Sequence, residues 1–474
     1  MPGIYGGDDI SAIVLDAGSS STRAGWAGED TPRAVIPSHY GWLPGDEGLE
    51  SSELNGQTKG DAMEGVETTN NGEEEDERLS SSGAQKRRAE NRRRFVGDGG
   101  VNSWRKGLEI GTPFEDGILS SSASLLALSR YCLEDVMGAN TSEHPLLLTE
   151  PSWNTKEARE EMTELAFEGL DVPAFYLANS TVLSSFSAGK PTSLIVDVGA
   201  SQASAIPVVD GFILRKGIQK QLGVGGDCIS RALLYDLSTN PPSLTTRSGG
   251  KVDIIGQYLV KSKAPTVAGA TSSAKLREDR TLDTTASFKE YQQMRVLHEA
   301  KESLAQVLEE PWNEAQAAAR PSRVFEFPDG YNDTFGIERF RAPEVLFTPQ
   351  LFATSEGVLP TAPSTHFHKP IQDLVTAAIE ATDVDSRATL LQNIVCVGSS
   401  TTITGFNDRL SYELGLRLPG QKVKIHSPGN LIERRYSSWL GGSILASLGT
   451  FHQLWISKAE YQESGSNIVH TRCR

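Results

Sequence analysis

Two short stretches of this chain combine the residue types that bind a phosphorylated ligand. Ile13-Val14-Leu15-Asp16-Ala17-Gly18-Ser19-Ser20-Ser21 is an aliphatic run, an aspartate and a turn of glycine and serine; Leu194-Ile195-Val196-Asp197-Val198-Gly199-Ala200-Ser201-Gln202 follows the same plan. Asp197 lies 181 residues beyond Asp16, the scale of a domain rather than of a motif. A turn of small residues presents a concave set of backbone N–H groups to an anion, and a carboxylate at its edge can hold a hydrated cation. One strand followed by Asp-x-Gly is common and decides nothing. Two copies at domain spacing predict two like α/β halves whose turns face each other across a cleft.

The elements that must hold these turns are legible in outline. An aliphatic run reads as a strand buried on both faces. After the first turn, Thr22-Arg23-Ala24-Gly25-Trp26 resumes an extended pattern, so Ser19 to Ser21 form the tip of a β-hairpin, with Arg23 either beside a phosphate or a surface cation. Residues 125–137 have helical spacing, with Leu126, Tyr131, Leu133 and Val136 facing a core, and residues 146–148 form a strand. Thr155 opens a helix reaching Phe167, and residues 176–188 predict a small-residue helix leading to the second copy. Beyond that copy, residues 203–209 and 212–214 form a hairpin around Asp210-Gly211, and the glycines of Leu222-Gly223-Val224-Gly225-Gly226-Asp227 open a further helix. Residues 291–308 read as a helix with Val296, Leu304 and Val307 inward and Lys301 and Glu302 as a solvated pair. Residues 393–397 form a strand entering a third small-residue turn, Gly398-Ser399-Ser400-Thr401-Thr402. Near the end, Ile444, Leu445, Leu448, Phe451, Leu454 and Trp455 share one face of an amphipathic helix.

Composition bounds the rest. A chain of 474 residues, 38% hydrophobic with mean hydropathy −0.32, has room for two to four globular domains. No stretch nears eighteen consecutive apolar residues, and residues 1–10 lack a basic start and an apolar run, which argues against membrane spanning and secretion. Cys132, Cys228, Cys396 and Cys473 have no paired spacing, which fits a reducing compartment and argues against zinc. A net charge of −16 argues against nucleic-acid binding by the bulk surface; it serves solubility or contact with basic proteins such as histones.

Residues 45–92 depart from this composition. They carry few large apolar residues, an acidic block Glu73-Glu74-Glu75-Asp76-Glu77, then Lys86-Arg87-Arg88 and Arg92-Arg93-Arg94. Such a stretch cannot bury enough surface to order itself, and its basic clusters read as a nuclear-import signal rather than a solvated charge run. Deleting residues 46–90 is expected to leave the melting temperature nearly unchanged and to impair nuclear entry; a large fall in melting temperature would contradict this.

Three small-residue turns after strands in a duplicated α/β frame resemble the superfamily of actin, sugar kinases and Hsp70 ATPases. Longer strings point to the actin family. Arg23-Ala24-Gly25-Trp26-Ala27-Gly28-Glu29-Asp30-Thr31-Pro32-Arg33-Ala34-Val35 resembles the first phosphate loop and its continuation, and Trp439-Leu440-Gly441-Gly442-Ser443-Ile444-Leu445-Ala446-Ser447-Leu448 resembles the C-terminal region, as do Trp455-Ile456-Ser457-Lys458 and Ile468-Val469-His470. The resemblance covers nearly the whole chain outside the loops at 45–92, 262–280 and 314–322. It implies the actin-like ATPase fold, α/β, with duplicated ribonuclease H-like domains and four subdomains around a nucleotide cleft. Residues 1–37, 112–187 and 437–474 would form subdomain 1, and residues 38–111, with the disordered insertion at 45–92, subdomain 2. Residues 188–224 and 354–436 would form subdomain 3, and residues 225–353 subdomain 4.

The resemblance also implies ATP as ligand. Asp16, Gly18, Ser19, Ser20 and Arg23 would belong to the first phosphate loop, Arg23 standing where actins carry Lys, and Asp197 and Gly199 to the second. Gly225 would lie near the ribose, Lys301 and Glu302 near the nucleoside, and Gly398, Ser399, Ser400, Arg435 and Tyr436 around the adenine. Asp16 and Asp197 would hold Mg²⁺ through water. The family aligns its hydrolytic water with Gln, Asp and His, where this chain has Ser180, Ala200 and Ser204, so no catalytic residue is expected and ATP should bind and stay. The filament contact of the family falls in the 45–92 insertion, which argues against polymerisation.

The insertion and its basic clusters resemble the nuclear class of actin-related proteins. That implies a nuclear structural subunit, paired with monomeric actin along a long helix of a scaffold subunit, in chromatin-remodelling and histone acetyltransferase complexes. Histones or nucleosomes would be further partners, with no membrane and no sequence-specific nucleic acid among them. The alternative is a hydrolysing, filament-forming cytoskeletal protein. A small-molecule kinase on the same fold is disfavoured by the C-terminal strings and by the lack of a base near Ala200 and Ser201.

Overall fold

The aliphatic runs around the two aspartates become the central strands of two sheets. In the computed structural model, which describes residues 11–44, 93–239, 241–242, 252–361 and 368–473, β1 (Ile13–Ala17) pairs antiparallel with β2 (Ser21–Trp26), and β2 with β3 (Ala34–Pro37). On its other side β1 runs parallel to β4 (Leu146–Glu150), which runs parallel to β5 (Ala174–Asn179). The sheet order is Ile456–Ser457, β5, β4, β1, β2, β3. In the second half β6 (Ser193–Val198) pairs antiparallel with β7 (Gln202–Val209) and parallel with β8 (Ile394–Val397). This repeats the hairpin-plus-parallel-strand unit of the first. Even the turn bond recurs: Gly18 N donates to Ser21 O at 3.1 Å and Gly199 N to Gln202 O at 2.9 Å. The fold is the actin-like α/β fold. The insertion at 45–92, with the basic cluster Lys86-Arg87-Arg88 and Arg92, lies outside the described residues; Arg94 packs back, its Nε donating to Ser124 Oγ at 2.9 Å.

Both faces of β1 are covered, which is why its sequence does not alternate. Ile13 and Leu15 enter one core with Leu146, Leu148 and Phe175, while Val14 enters another with Trp439. Helices α1 (Ser180–Ser187) and α4 (Ser437–Ser447) line the cleft between the two sheets, and α2 (Gly226–Thr239) packs with α3 (Ala286–Leu304) in the second half. Helices α1 and α4 cross at backbone contact. A Cβ on Gly441 would lie 2.0 Å from Leu183 O.

Three sequence expectations change. Residues 176–179 are not helix but the end of β5, and the helix begins only at Ser180. Asn179 caps it, its side chain accepting from Thr181 N at 3.1 Å. Asn179→Ala is expected to cost about 1 kcal/mol, read as a lower urea midpoint; an unchanged midpoint would contradict the cap. The second change is at Tyr131–Val136, a π-helical turn. Its wider winding rotates Val136 out to 45% exposure; Leu133 is buried and Leu126 and Tyr131 pack half-buried against the core as expected, beside the fully buried Leu125, Leu128 and Cys132. Third, α4 ends at Ser447 and buries Trp439, Gly441, Gly442, Ser443 and Ala446, leaving Ile444, Leu448 and Leu454 exposed; Phe451 and Trp455 are buried beyond it.

Residues 104–110 are tied to residues 283–287 at the start of α3. Trp104 Nε1 donates to Thr284 Oγ1 at 2.9 Å, Ser287 Oγ accepts from Ile110 N at 2.9 Å, and Lys106 pairs with Asp283 at 3.1 Å. His39 packs on Tyr291 of α3 with ring centroids 4.8 Å apart, its Nδ1 buried and without a hydrogen-bond partner among the described residues. Burial pushes the His39 imidazole down from 6.5 to about 4. Between pH 6.5 and 4 the unfolded chain binds the extra proton, so stability from this group is whole above 6.5 and lost as pH falls. Wild type is expected to lose about 2 kcal/mol between pH 7 and pH 5 through His39. His39→Gln should flatten that part of the urea-unfolding profile; an unchanged slope would contradict it.

Candidate functional site

The two turns meet. Ser201 Oγ, in the turn after β6, donates to Ser19 Oγ at 2.9 Å in the turn after β1. Around this junction lies a cleft, open to solvent, lined by Asp16, Gly18, Ser19, Ser20 and Arg23 from the first half and by Asp197, Gly199 and Gly398 from the second, together with Ser399 and Arg435. Gly398, at φ +88, ends β8 so close to β6 that a Cβ there would lie 2.4 Å from Asp197 Oδ1. The third turn leaves this approach as a short 3₁₀ helix, Ser399–Thr402, rather than as a hairpin.

The other expected site residues stand behind the wall rather than on it. Lys301 is buried, not solvated: its Nζ donates to Gly226 O at 2.9 Å at the entry to α2, and burial lowers its pKa while Asp227 opposes that. Gly225 packs on the second turn, a Cβ there falling 2.5 Å from Ala200 O. Ser400 braces the same turn through Gly199 O at 2.9 Å. Glu302 accepts from Arg435 Nη2 at 2.9 Å, and its carboxyl is held down to about 2, foremost by the hydrogen bond with His298. Tyr436 lies under Arg23, whose guanidinium carbon is 5.1 Å from the ring centroid.

The two aspartates are not equivalent. Asp16, 5% exposed, is fully engaged: Arg23 Nη1 at 2.7 Å and Ser438 Oγ at 2.9 Å reach Oδ2, and Thr149 Oγ1 at 2.7 Å reaches Oδ1. Asp197 receives no hydrogen bond from a side chain among the described residues. Burial, and then the charge of Asp16, raise its carboxyl to about 6, against the pull of Arg23. Thr149 and Ser438 are 133 and 422 residues from Asp16 and carried no sequence signal.

These residues fit a nucleotide phosphate and a divalent cation. Among the described residues Asp197 has no ion-pair partner, and Arg23 Nε is buried without an acceptor. At Gly199 a Cβ would meet nothing nearer than Gln202 O at 3.8 Å, so the missing side chain leaves room on the cleft side rather than serving packing. Short side chains stand where the resemblance implies water-aligning Gln, Asp and His. Ser180 and Ala200 line the cleft, and Ser204, buried across from Asp197 on β7, carries only a hydroxyl. The remaining carboxylate, Glu150, is tied through Oε2 to Arg159 at 2.9 Å and Asn154 at 3.0 Å.

A duplicated hairpin frame with two facing turns defines an actin-type nucleotide fold, and the Actin family model matches residues 7–474. The chain belongs to the actin family. Within it the chain is 46% identical over 542 residues to Actin-related protein 4 of Mycosarcoma maydis, with all of both chains covered. It is 40% identical over 492 residues to Actin-related protein 4 of Emericella nidulans, covering 99% of this chain and 98% of that one. Identity to Actin-related protein 4 of Arabidopsis thaliana is 35% over 474 residues, covering 99% and 100%. It is an actin-related protein of that type. Among the described residues no helix is long and apolar enough to cross a membrane.

Proposed function

We propose that the chain binds ATP with Mg²⁺ and keeps it, acting as a nucleotide-clamped structural subunit rather than an enzyme. The observation that carries this reading is the pairing of intact phosphate turns with Ser180, Ala200 and Ser204 where a water would have to be aimed. An alanine at the second position can neither orient water nor accept its proton, and serine hydroxyls are poor bases. Bound Mg²⁺ supplies the positive charge that Asp197 lacks. Arg23 holds Asp16 in place, and the N–H groups of both turns grip the phosphates. Ligand bound to both halves favours the closed form by mass action.

The partners follow from resemblance to the actin-related protein 4 relatives: monomeric actin, a long helix of a remodeller or acetyltransferase scaffold, and histones, in the nucleus. The exposed Ile444, Leu448 and Leu454 support an apolar partner such as a helix, and the net charge of −16 supports basic ones. Purified protein is expected to retain ATP with turnover about 100-fold or more below that of actin, the scale of losing aligned catalytic groups. Turnover at an actin-like rate would overturn the reading. Affinity purification of the full chain from nuclear extract should recover actin with scaffold subunits; recovery without either would overturn the partner assignment.

A further inference from the structure

Gln202 opens β7 two residues beyond Ala200 and turns its side chain into the cleft beside the phosphate turns. Its amide spans the gap between the halves and lies flat against Gly117, in the small hairpin of Phe114–Glu115 and Ile118–Leu119 that packs on the first core. A Cβ on Gly117 would sit 2.5 Å from Gln202 Oε1 and 3.3 Å from Nε2, which places the amide against this turn, and Gly117 has φ +76, which favours glycine there. Gln202 Oε1 is sealed from water and accepts no hydrogen bond among the described residues. Nε2 has no acceptor among them, and Gln202 lines the cleft.

A side-chain amide can turn its Nε2 to donate into the cleft, and it cannot act as a base. Its neighbour Ser201 touches Ser19, which places Gln202 where the two phosphate turns meet. What Nε2 lacks is an acceptor oxygen, and a terminal phosphate in this gap has three. We propose that Gln202 is the specificity-determining residue for the last phosphate. Its Nε2 donates to a terminal phosphate oxygen, so a nucleoside triphosphate is held in preference to the diphosphate, and no bond is made or broken. This rests on the nucleotide reading of the cleft.

The test is titration of ATP and of ADP, each with Mg²⁺, into full-length protein stripped of nucleotide, as wild type, Gln202→Leu and the near-isosteric Gln202→Glu. Removing the donor in Gln202→Leu should weaken ATP about tenfold and ADP less than about twofold, the scale of one hydrogen bond to a charged group. Gln202→Glu, which sets a negative acceptor against the phosphate, should weaken ATP by about 100-fold, again with ADP much less affected. An unchanged ATP-to-ADP ratio in a variant that melts like wild type, or equal losses for both ligands, overturns the assignment and leaves the nucleotide reading standing. Wild type that binds neither nucleotide overturns both.

Discussion

Asp197→Asn is expected to abolish the magnesium-dependent part of nucleotide retention and, with the cleft empty, to make the protein more stable. The opposite signs share one cause. With no protein donor on its side chain and Asp16 nearby, the Asp197 carboxyl is raised from 3.8 to about 6. The folded state holds this proton more tightly than the unfolded one, so the group's contribution is whole below pH 3.8 and is lost as pH rises through 6. At pH 7 the ionised carboxylate therefore costs the empty protein about 2–3 kcal/mol, which an uncharged amide of the same shape does not. A cation offsets that cost in wild type only. Urea unfolding of nucleotide-free protein at pH 7 should give the variant the higher midpoint. ATP retention should be equally poor for the variant with Mg²⁺ or with chelator. A less stable empty variant, or retention as responsive to Mg²⁺ as wild type, would remove Asp197 from the cation site.

The largest stability effect is expected at the crossing of α1 and α4. In Gly441→Ala the new methyl would fall 2.0 Å from Leu183 O and 2.5 Å from its carbonyl carbon, both backbone atoms that cannot turn aside. The helices must part, and Trp439, fully buried with Nε1 donating to Val14 O at 3.1 Å, moves with α4. A loss of about 3 kcal/mol or more is expected, the upper range for overpacking. Gly449→Ala is the control: nothing lies within 4 Å of a Cβ there, and its urea midpoint should match wild type. Equal midpoints for the two variants would show that the crossing relaxes freely.

Glycine at this crossing also explains what sequence reasoning missed. The C-terminal helix was read from its large apolar residues, yet the face it buries is Gly441, Gly442 and Ser443, because two backbones in contact select for the absence of side chains. Hydrophobic periodicity does not register that. The phosphate turns were legible because everything that makes them is local: β1 and β6 are aliphatic on both faces, and the hairpin closes within four residues of Gly18 or Gly199. Residues 176–179 misled because Leu177 and Ala178 suit a helix by propensity, and only the cap at Asn179 marks the boundary. The engagement of Asp16 by Thr149 and Ser438 could not be read from sequence, since long-range hydrogen bonds leave no spacing pattern. Lys301 looked solvated for the same reason: its acceptor, Gly226 O, lies 75 residues away.

The bonds between residues 104–110 and residues 283–287 bear on time. Trp104 to Thr284, Ile110 to Ser287 and Lys106 to Asp283 are each modest, but the two segments separate only when all of them open together. For a nucleotide held as proposed above and leaving between these segments, residence would be set by how often they separate, a motion of microseconds to seconds, more than by how firmly the phosphates are gripped. A protein that clasps or spreads either segment could then slow or hasten exchange while touching nothing inside.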